Sequence, residues 1–317
     1  MSAGIGVLVE DYIALRRHLG YRSVGPERYL RGFTDFLDQR GHHGPIPLTL
    51  SVEWAAATTS ADPCNRARRL TVIRGFLRHL SALDGATQVP PPGLLGPAGH
   101  RKPPHVYSEE EISALLEAAA GLAPVGGLRP HCYATLFGLL ACTGLRICEA
   151  LALSCDDVDL AGGVLTVRAG KRGRTRLTPV HPSALTPLGD YAAEREQRYG
   201  PPGSDQAFFR TDRSERVSYS AASSTFGVLR RRLGWTAQGR TRAPRIHDLR
   251  HQMVVRRIQT WHAQGVDVNH KIAVLATYLG HVQVSDVYWY LSAVPELMSI
   301  VADRFEHYAT PPKADVL

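Results

Sequence analysis

A stretch rich in proline and glycine interrupts the chain well before its midpoint. Residues 90–104 read PPPGLLGPAGHRKPP. Proline has no backbone N–H and clashes with the preceding helical turn, so no helix can continue through this stretch. We interpret residues 87–105 as a linker between a first domain, 1–86, and a second domain, 106–317. A length of 317 residues fits two domains at roughly 100–200 residues each.

The first domain is predicted to be helical, because its apolar residues recur at helical spacing. The predicted helices cover 6–19, 26–40, 51–59 and 65–83. The fourth helix combines an apolar stripe with a set of arginines on its other faces, which is a pattern that can follow a phosphate backbone. A solvated surface helix explains it equally well. The arginines assigned to DNA on this helix are Arg66, Arg69, Arg74 and Arg78.

The second domain mixes helices with a small sheet. Ser108 and Glu111 form a capping box that starts a helix, and further helices are predicted at 131–143, ending at Gly144, and at 146–153. The period then changes to that of strands, at 163–168 and 174–180, with Lys171 in the turn between them. Residues 183–305 are mostly helical. The predicted fold is therefore mainly α with a small antiparallel β-sheet.

Charge and cysteine content narrow the function classes. A net charge of +8 favours a polyanionic partner such as nucleic acid. The five cysteines are odd in number and include no CxxC pair, which argues against a zinc knuckle and a disulfide framework. The first thirty residues lack signal-peptide features, and no apolar run reaches the ~18–20 residues of a membrane span. We therefore expect a cytoplasmic protein.

Four short segments carry the chemistry. The first is the turn Thr143-Gly144-Leu145-Arg146, and the second is the hairpin turn with Lys171. The third is His247-Asp248-Leu249-Arg250, which combines a histidine with an arginine three residues later. The fourth is the turn Leu279-Gly280-His281, and Tyr290 follows nine residues after the histidine. In this order and spacing, the set resembles the tyrosine recombinases, also called the phage integrase family. The resemblance implies a helical core-binding domain that clamps DNA and an α+β catalytic domain.

The resemblance also implies the roles of the site residues. Arg146 and Arg250 would hold the scissile phosphate, because a guanidinium offers a planar set of donors and stays protonated. Tyr290 would be the nucleophile, and the cations would stabilise the charge of the transition state. His247 would accept the phenolic proton, and Lys171 would act as the general acid. His281 would contact the phosphate, and Glu149 would orient a site residue. Tyr288 and, more distantly, Tyr278 remain rivals of Tyr290.

The implied reaction uses no metal and no cofactor. It cleaves and rejoins DNA at an inverted-repeat site through a 3′-phosphotyrosyl link. The resemblance also implies a tetramer on two DNA sites and a Holliday junction intermediate. Related recombinases or accessory proteins are possible further partners. Integration, excision or transposition of a mobile element and resolution of chromosome dimers use the same residues. A type IB topoisomerase and a catalytically silent DNA-binding accessory protein remain alternatives. DNA relaxation without sequence preference would favour the topoisomerase. DNA binding without a covalent adduct would favour the accessory protein.

Three further expectations concern the surroundings of the site. The additional predicted DNA contacts are Arg101, Lys102, Arg172, Arg174, Arg242 and Arg245. The 30 residues between Arg250 and His281 exceed the expected number, and the extra length is assigned to 261–270, as a longer helix or a loop. We expect the apolar tail, 291–317, to dock on a neighbouring subunit rather than on its own domain, and we expect no additional N-terminal domain.

Overall fold

The computed structural model describes residues 4–21, 24–59, 63–97, 103–168, 175–237 and 242–280, together with 283 and 287. The chain forms two compact units, Met1–Arg101 and Lys102–Leu317. Among the described residues, no helix is both long and apolar enough to cross a membrane. The predicted docking of the tail, 291–317, lies outside the described residues.

The first unit contains four helices within its described residues: α1 (Ile5–His18), α2 (Val24–Gln39), α3 (Leu48–Ala56) and α4 (Pro63–Asp84). Their apolar faces enclose one core, because the positions that recur at helical spacing point inward together. The stripe predicted on α4 is buried, and Phe33 and Phe76 are fully buried with it.

Part of the segment interpreted as a linker packs on the first unit. The backbone N–H of Gln88 donates to the carbonyl of Ile46 at 2.9 Å, and the Gln88 side chain accepts from the backbone of Leu48 at 2.7 Å. Thr87 is buried, and Leu95 packs against the core. These residues therefore behave as an extension of the first unit.

The second unit is built around α6 (Leu128–Thr143), which contacts α5 (Glu109–Ala120), α8 (Pro182–Tyr199) and α10 (Ile246–Ala263). Its core consists mainly of leucine, phenylalanine and tyrosine side chains. The capping box at the start of α5 is present as predicted: Ser108 accepts from the Glu111 backbone N–H at 3.1 Å, and Glu111 accepts from that of Ser108 at 2.9 Å. The remaining helices of the described part are α7 (Ile147–Ala152), α9 (Tyr219–Arg232) and α11 (Val268–Leu279).

The sheet has three antiparallel strands in the order β1 (Val158–Asp159), β2 (Val164–Val167) and β3 (Arg176–Pro179), with Leu165 paired to Thr178. The strand pair β2–β3 was predicted, whereas β1 was missed because two residues are too few to display a period of two. The extra length before His281 divides between the end of α10 and a turn at Gly265, after which α11 begins.

Candidate active site

The first motif segment forms a sharp turn between two helices. Gly144 has a φ of +63°, a left-handed conformation that ends α6 and sends the chain into α7. Arg146 then caps α7, and its backbone N–H and its Nη1 both donate to Glu149, at 3.0 and 2.8 Å. Glu149 therefore fixes both the backbone and the guanidinium of Arg146.

Glu149 is held ionised in a buried position. Its side chain is only 7% exposed. Burial by itself raises the pKa of this carboxyl, but hydrogen bonds and charge from Arg176 and Arg146 outweigh it and lower the pKa to about 2. A carboxylate that binds two guanidinium groups in this way is a rigid support for both.

Arg176, at the start of β3, was not predicted as a site residue. Its Nη1 and Nη2 donate to the two oxygens of Glu149 at 3.1 and 2.8 Å, and its Nε donates to the carbonyl of Tyr278 at 3.0 Å. Its position near the hairpin turn, a few residues after Lys171, is the signal that could have indicated it. This guanidinium links the sheet, the first motif turn and the end of α11.

Arg250 lies inside the unit, 2% exposed. Its Nη1 donates to the carbonyl of Gly144 at 2.6 Å, and its Nη2 donates to the carbonyl of Leu279 at 2.8 Å. These partners are 106 and 29 residues away along the chain. Arg250 was predicted to hold the scissile phosphate; in this structure two of its N–H groups bond the backbone of the first and last motif turns.

His247 lies in the first turn of α10, with a solvent-exposed side chain. Its ring is 4.9 Å from that of His251, measured between centroids. Packing of neighbouring atoms and the nearby charges of Arg250, Arg245 and Arg146 lower the pKa of this imidazole below its usual value. The shift favours the neutral imidazole, which is the form that can accept a proton.

The start of α10 is fixed by neighbouring polar groups. Arg245 donates through its backbone N–H and its Nη2 to the buried Asp248, both at 2.9 Å. The hydroxyl of the buried Tyr107 donates to the carbonyl of Arg245 at 2.9 Å. Arg245, assigned to DNA from the sequence, is thus engaged in capping the helix, although its side chain remains 42% exposed.

The other predicted DNA contacts differ in accessibility. Arg66, Arg78 and Arg242 are exposed, and Arg74 is partly exposed. Arg69 is partly buried, because its guanidinium lies 4.0 Å from the centre of the Trp54 ring and donates to the Trp54 carbonyl at 2.7 Å. A cation over an indole contributes to the packing of the first unit, and the assignment of Arg69 to DNA stays a prediction.

Several predicted residues lie outside the described residues. These are Lys171, His281, Tyr290, the rival Tyr288, and the DNA contacts Arg101, Lys102, Arg172 and Arg174. Tyr278 is described, and its hydroxyl donates to the carbonyl of Pro179 at 3.1 Å. Burial raises the pKa of this phenol to about 12, which disfavours its ionised form. In the described ranges, no three His, Cys, Asp or Glu side chains are grouped to hold a metal.

Comparison with known proteins gives consistent matches. The sequence model of the phage integrase family matches residues 106–296. A putative integrase/recombinase of Sinorhizobium fredii, y4rB, is 37% identical over 301 residues, covering 94% of this chain and 96% of the relative. Two solved structures share the fold, which confirms the mainly helical architecture with a small antiparallel sheet. They are the Tn1549 transposon integrase in complex with transposon right end DNA (TM-score 0.65, 16% identity, 94% of this chain and 98% of that one) and a lambda integrase tetramer bound to a Holliday junction (TM-score 0.61, 15% identity, 89% and 78%).

Proposed function

Since the chain belongs to the phage integrase family of tyrosine recombinases, we propose that it is a site-specific DNA recombinase, acting in the cytoplasm, that cleaves and rejoins strands through a covalent bond to Tyr290. Its role would be to integrate, excise or transpose a mobile element, in line with the name of its relative from Sinorhizobium fredii, a putative integrase/recombinase.

The observation that carries the proposal is the position of Arg250. Its two hydrogen bonds join the turn that presents Arg146 to the turn that precedes His281, and Arg250 itself lies one helical turn after His247. Three motif segments that are far apart in sequence therefore meet, as a shared catalytic site requires.

The proposed reaction transfers a phosphoryl group without net loss of bonds. The Tyr290 oxygen attacks the scissile phosphorus, the bond from phosphorus to the 5′ oxygen breaks, and a 3′-phosphotyrosyl bond forms. Neutral His247 accepts the phenolic proton, and Lys171 gives a proton to the departing 5′ oxygen. Because one phosphoester replaces another, a 5′ hydroxyl from a partner strand can reverse the step and complete strand exchange.

Stabilisation of negative charge falls to the cations of the site. Arg146 is half-buried and oriented by Glu149, so its remaining N–H groups are available to a non-bridging oxygen. The proposed roles of Arg250 and His281 are further hydrogen bonds to the phosphate. The step as written needs no metal, no ATP and no organic cofactor.

The partner in this proposal is double-stranded DNA carrying an inverted repeat. Arg66, Arg74, Arg78 and Arg242 are accessible and would contact phosphates. The shared fold with a lambda integrase tetramer bound to a Holliday junction supports assembly of four copies on two sites.

Recovery of covalent adducts tests the proposal. Purified protein would be incubated with sheared DNA from its source, with and without a metal chelator. After denaturation, DNA that stays attached to protein would be sequenced. Tyr290→Phe and the matched variant Tyr288→Phe would be treated in parallel. We expect adducts with the wild type and Tyr288→Phe, clustered at one inverted repeat, and none with Tyr290→Phe.

Each other outcome contradicts a part of the proposal. Adducts that persist in Tyr290→Phe and vanish in Tyr288→Phe would transfer the nucleophile to Tyr288. Adducts spread evenly over the DNA would indicate a topoisomerase. Salt-sensitive binding of DNA without any adduct would indicate a DNA-binding accessory protein, and adducts that disappear with chelator would contradict a metal-independent reaction.

A further inference from the structure

We propose that Arg176 is a positioning residue of this site, which holds Glu149 and, through it, Arg146, and which also fixes the turn before His281. The inference rests on the proposed function for its catalytic consequence. Arg176 has no assigned role in the motif set, and it is argued to act through other residues rather than on the DNA.

The three hydrogen bonds of Arg176 reach elements that are far apart along the chain. Glu149 is 27 residues away along the chain and Tyr278 is 102 residues away. Both Nη atoms are used on one carboxylate, and Nε is used on a backbone carbonyl. A planar guanidinium with donors in fixed directions sets the relative orientation of both partners, which the single ammonium of a lysine cannot do.

Burial increases the importance of these bonds. The Arg176 side chain is 13% exposed and that of Glu149 is 7% exposed, so water replaces a lost partner poorly. Among the interactions that keep Glu149 ionised, the hydrogen bond from Arg176 is the largest, ahead of those from Arg146. Without Arg176, Glu149 would be a buried carboxylate with one guanidinium partner and a greater tendency to take up a proton.

The last motif turn is shaped around the same guanidinium. Gly280 has a φ of +66°, and a Cβ at this position would lie 2.7 Å from Nη1 and 2.9 Å from Cζ of Arg176. Glycine thus allows the turn to approach the arginine. Arg176 is also the first residue of β3, so it anchors the strand where the connection that contains Lys171 joins it. Arg176 therefore contacts the residues next to the first motif turn and the last motif turn itself, and it adjoins the hairpin turn that contains Lys171.

Two variants and a matched control test the inference. Arg176→Met removes all three hydrogen bonds, and Arg176→Lys retains a cation that cannot bond Glu149 and Tyr278 together. Arg168→Met is the control, because Arg168 follows the neighbouring strand β2 and pairs with the buried Asp157, with no contact to the motif turns. It removes another arginine–carboxylate pair beside the sheet, although the Arg168 side chain is more exposed, 63% against 13% for Arg176.

The first readout needs neither DNA nor activity. Hydrogen exchange of the Arg146 backbone amide, which donates to Glu149, would be followed by NMR in the full-length protein. We expect exchange roughly five- to tenfold faster in Arg176→Met, intermediate in Arg176→Lys and unchanged in Arg168→Met. Unchanged exchange in Arg176→Met would overturn the inference, whatever the protein does to DNA.

The second readout is single-turnover cleavage of the DNA site recovered as an adduct. We expect Arg176→Met to lower the maximal cleavage rate on the order of 100-fold, with little change in the DNA concentration that half-saturates it. We also expect the variant's rate to decline as the pH falls toward the ordinary pKa of a glutamate, where the wild type does not respond to Glu149. Arg176→Lys should recover part of the rate.

The two readouts separate the failures. If Arg176→Met changes the hydrogen exchange of the Arg146 amide but the wild type forms no adduct, the proposed function is refuted. The inference that Arg176 positions Arg146 then still stands. Wild-type adducts with normal cleavage by Arg176→Met would refute the positioning role alone. A cleavage defect equal to that of Arg168→Met, with an unchanged pH profile, would show only general destabilisation and would also refute it.

Discussion

The Nη2 of Arg250 donates to the carbonyl oxygen of Leu279 at 2.8 Å, so that the helix carrying His247 is bonded directly to the turn that precedes His281. The other terminal nitrogen bonds the carbonyl of Gly144. A side chain assigned from sequence to bind phosphate therefore also maintains the architecture of the site, and loss of activity in an Arg250 variant has two possible origins.

Replacing Arg250 with alanine should destabilise the second unit by about 3 kcal/mol in the absence of DNA, because two buried carbonyls lose their donors and a cavity remains. Denaturant unfolding would measure this. The control is Arg256→Ala on the same helix, where the side chain pairs at the surface with Glu109 and should contribute about 0–1 kcal/mol. Equal stability of the two variants would contradict the structural role of Arg250.

Gly280→Ala should be more damaging than Gly265→Ala, although both glycines have positive φ, +66° and +70°. Each substitution incurs about 1–2 kcal/mol for the left-handed backbone. Only at position 280 does the new Cβ meet Arg176; at 265 no atom lies within 4 Å. We expect an additional loss of about 1–3 kcal/mol for Gly280→Ala, measured by unfolding, together with faster exchange of the Arg146 amide. Indistinguishable variants would contradict the contact.

Stability at acid pH should depend on Glu149. Its pKa is about 2 in the folded protein, below the usual value of 4.5. A depressed folded-state pKa contributes stability that is complete above the unfolded pKa and is lost as the pH falls from about 4.5 to about 2, up to about 3 kcal/mol. The free energy of unfolding of the wild type and Glu149→Gln should therefore converge over this window. A constant difference between them would contradict the shift.

His247 should titrate below the usual histidine range, because neighbouring cations and packing disfavour its protonated form. NMR observation of the ring protons during a pH titration would measure the pKa directly. We further expect His247→Ala to lower the cleavage rate by roughly 10²–10⁴-fold. A His247 pKa above the usual value for histidine, about 6.5, would contradict the neutral, proton-accepting form.

Alanine substitution of two neighbouring arginines of α4 should affect different properties of the protein. Arg66→Ala should leave stability unchanged and weaken DNA binding, reducing the slope of log affinity against log salt by about 1. Arg69→Ala should lower the stability of the first unit by about 1–2 kcal/mol, because it removes the contact over Trp54 and the bond to its carbonyl. Unfolding and DNA titrations at several salt concentrations would distinguish them, and reversed effects would contradict the assignment.

Local patterns in the sequence were sufficient for most of the secondary structure. The apolar stripe of α4, the Ser108–Glu111 capping box and the end of α6 at Gly144 follow from interactions within a few residues of each other, so the sequence contains all of the relevant information. The ordered motif set likewise indicated the family without coordinates, because the spacing of its members reflects the chemistry they share.

Tertiary structure alone decided which arginines face inward. The sequence does not indicate the partners of Arg250, Arg176 and Arg69, which are a carbonyl 106 residues away, a carboxylate 27 residues away and an indole 15 residues away. Spacing predicts neighbours along one helix or strand, but contacts at such separations depend on how several elements pack together. For that reason the sequence identified the residues assigned to chemistry, and only the folded chain revealed the arginine and carboxylate network that positions them.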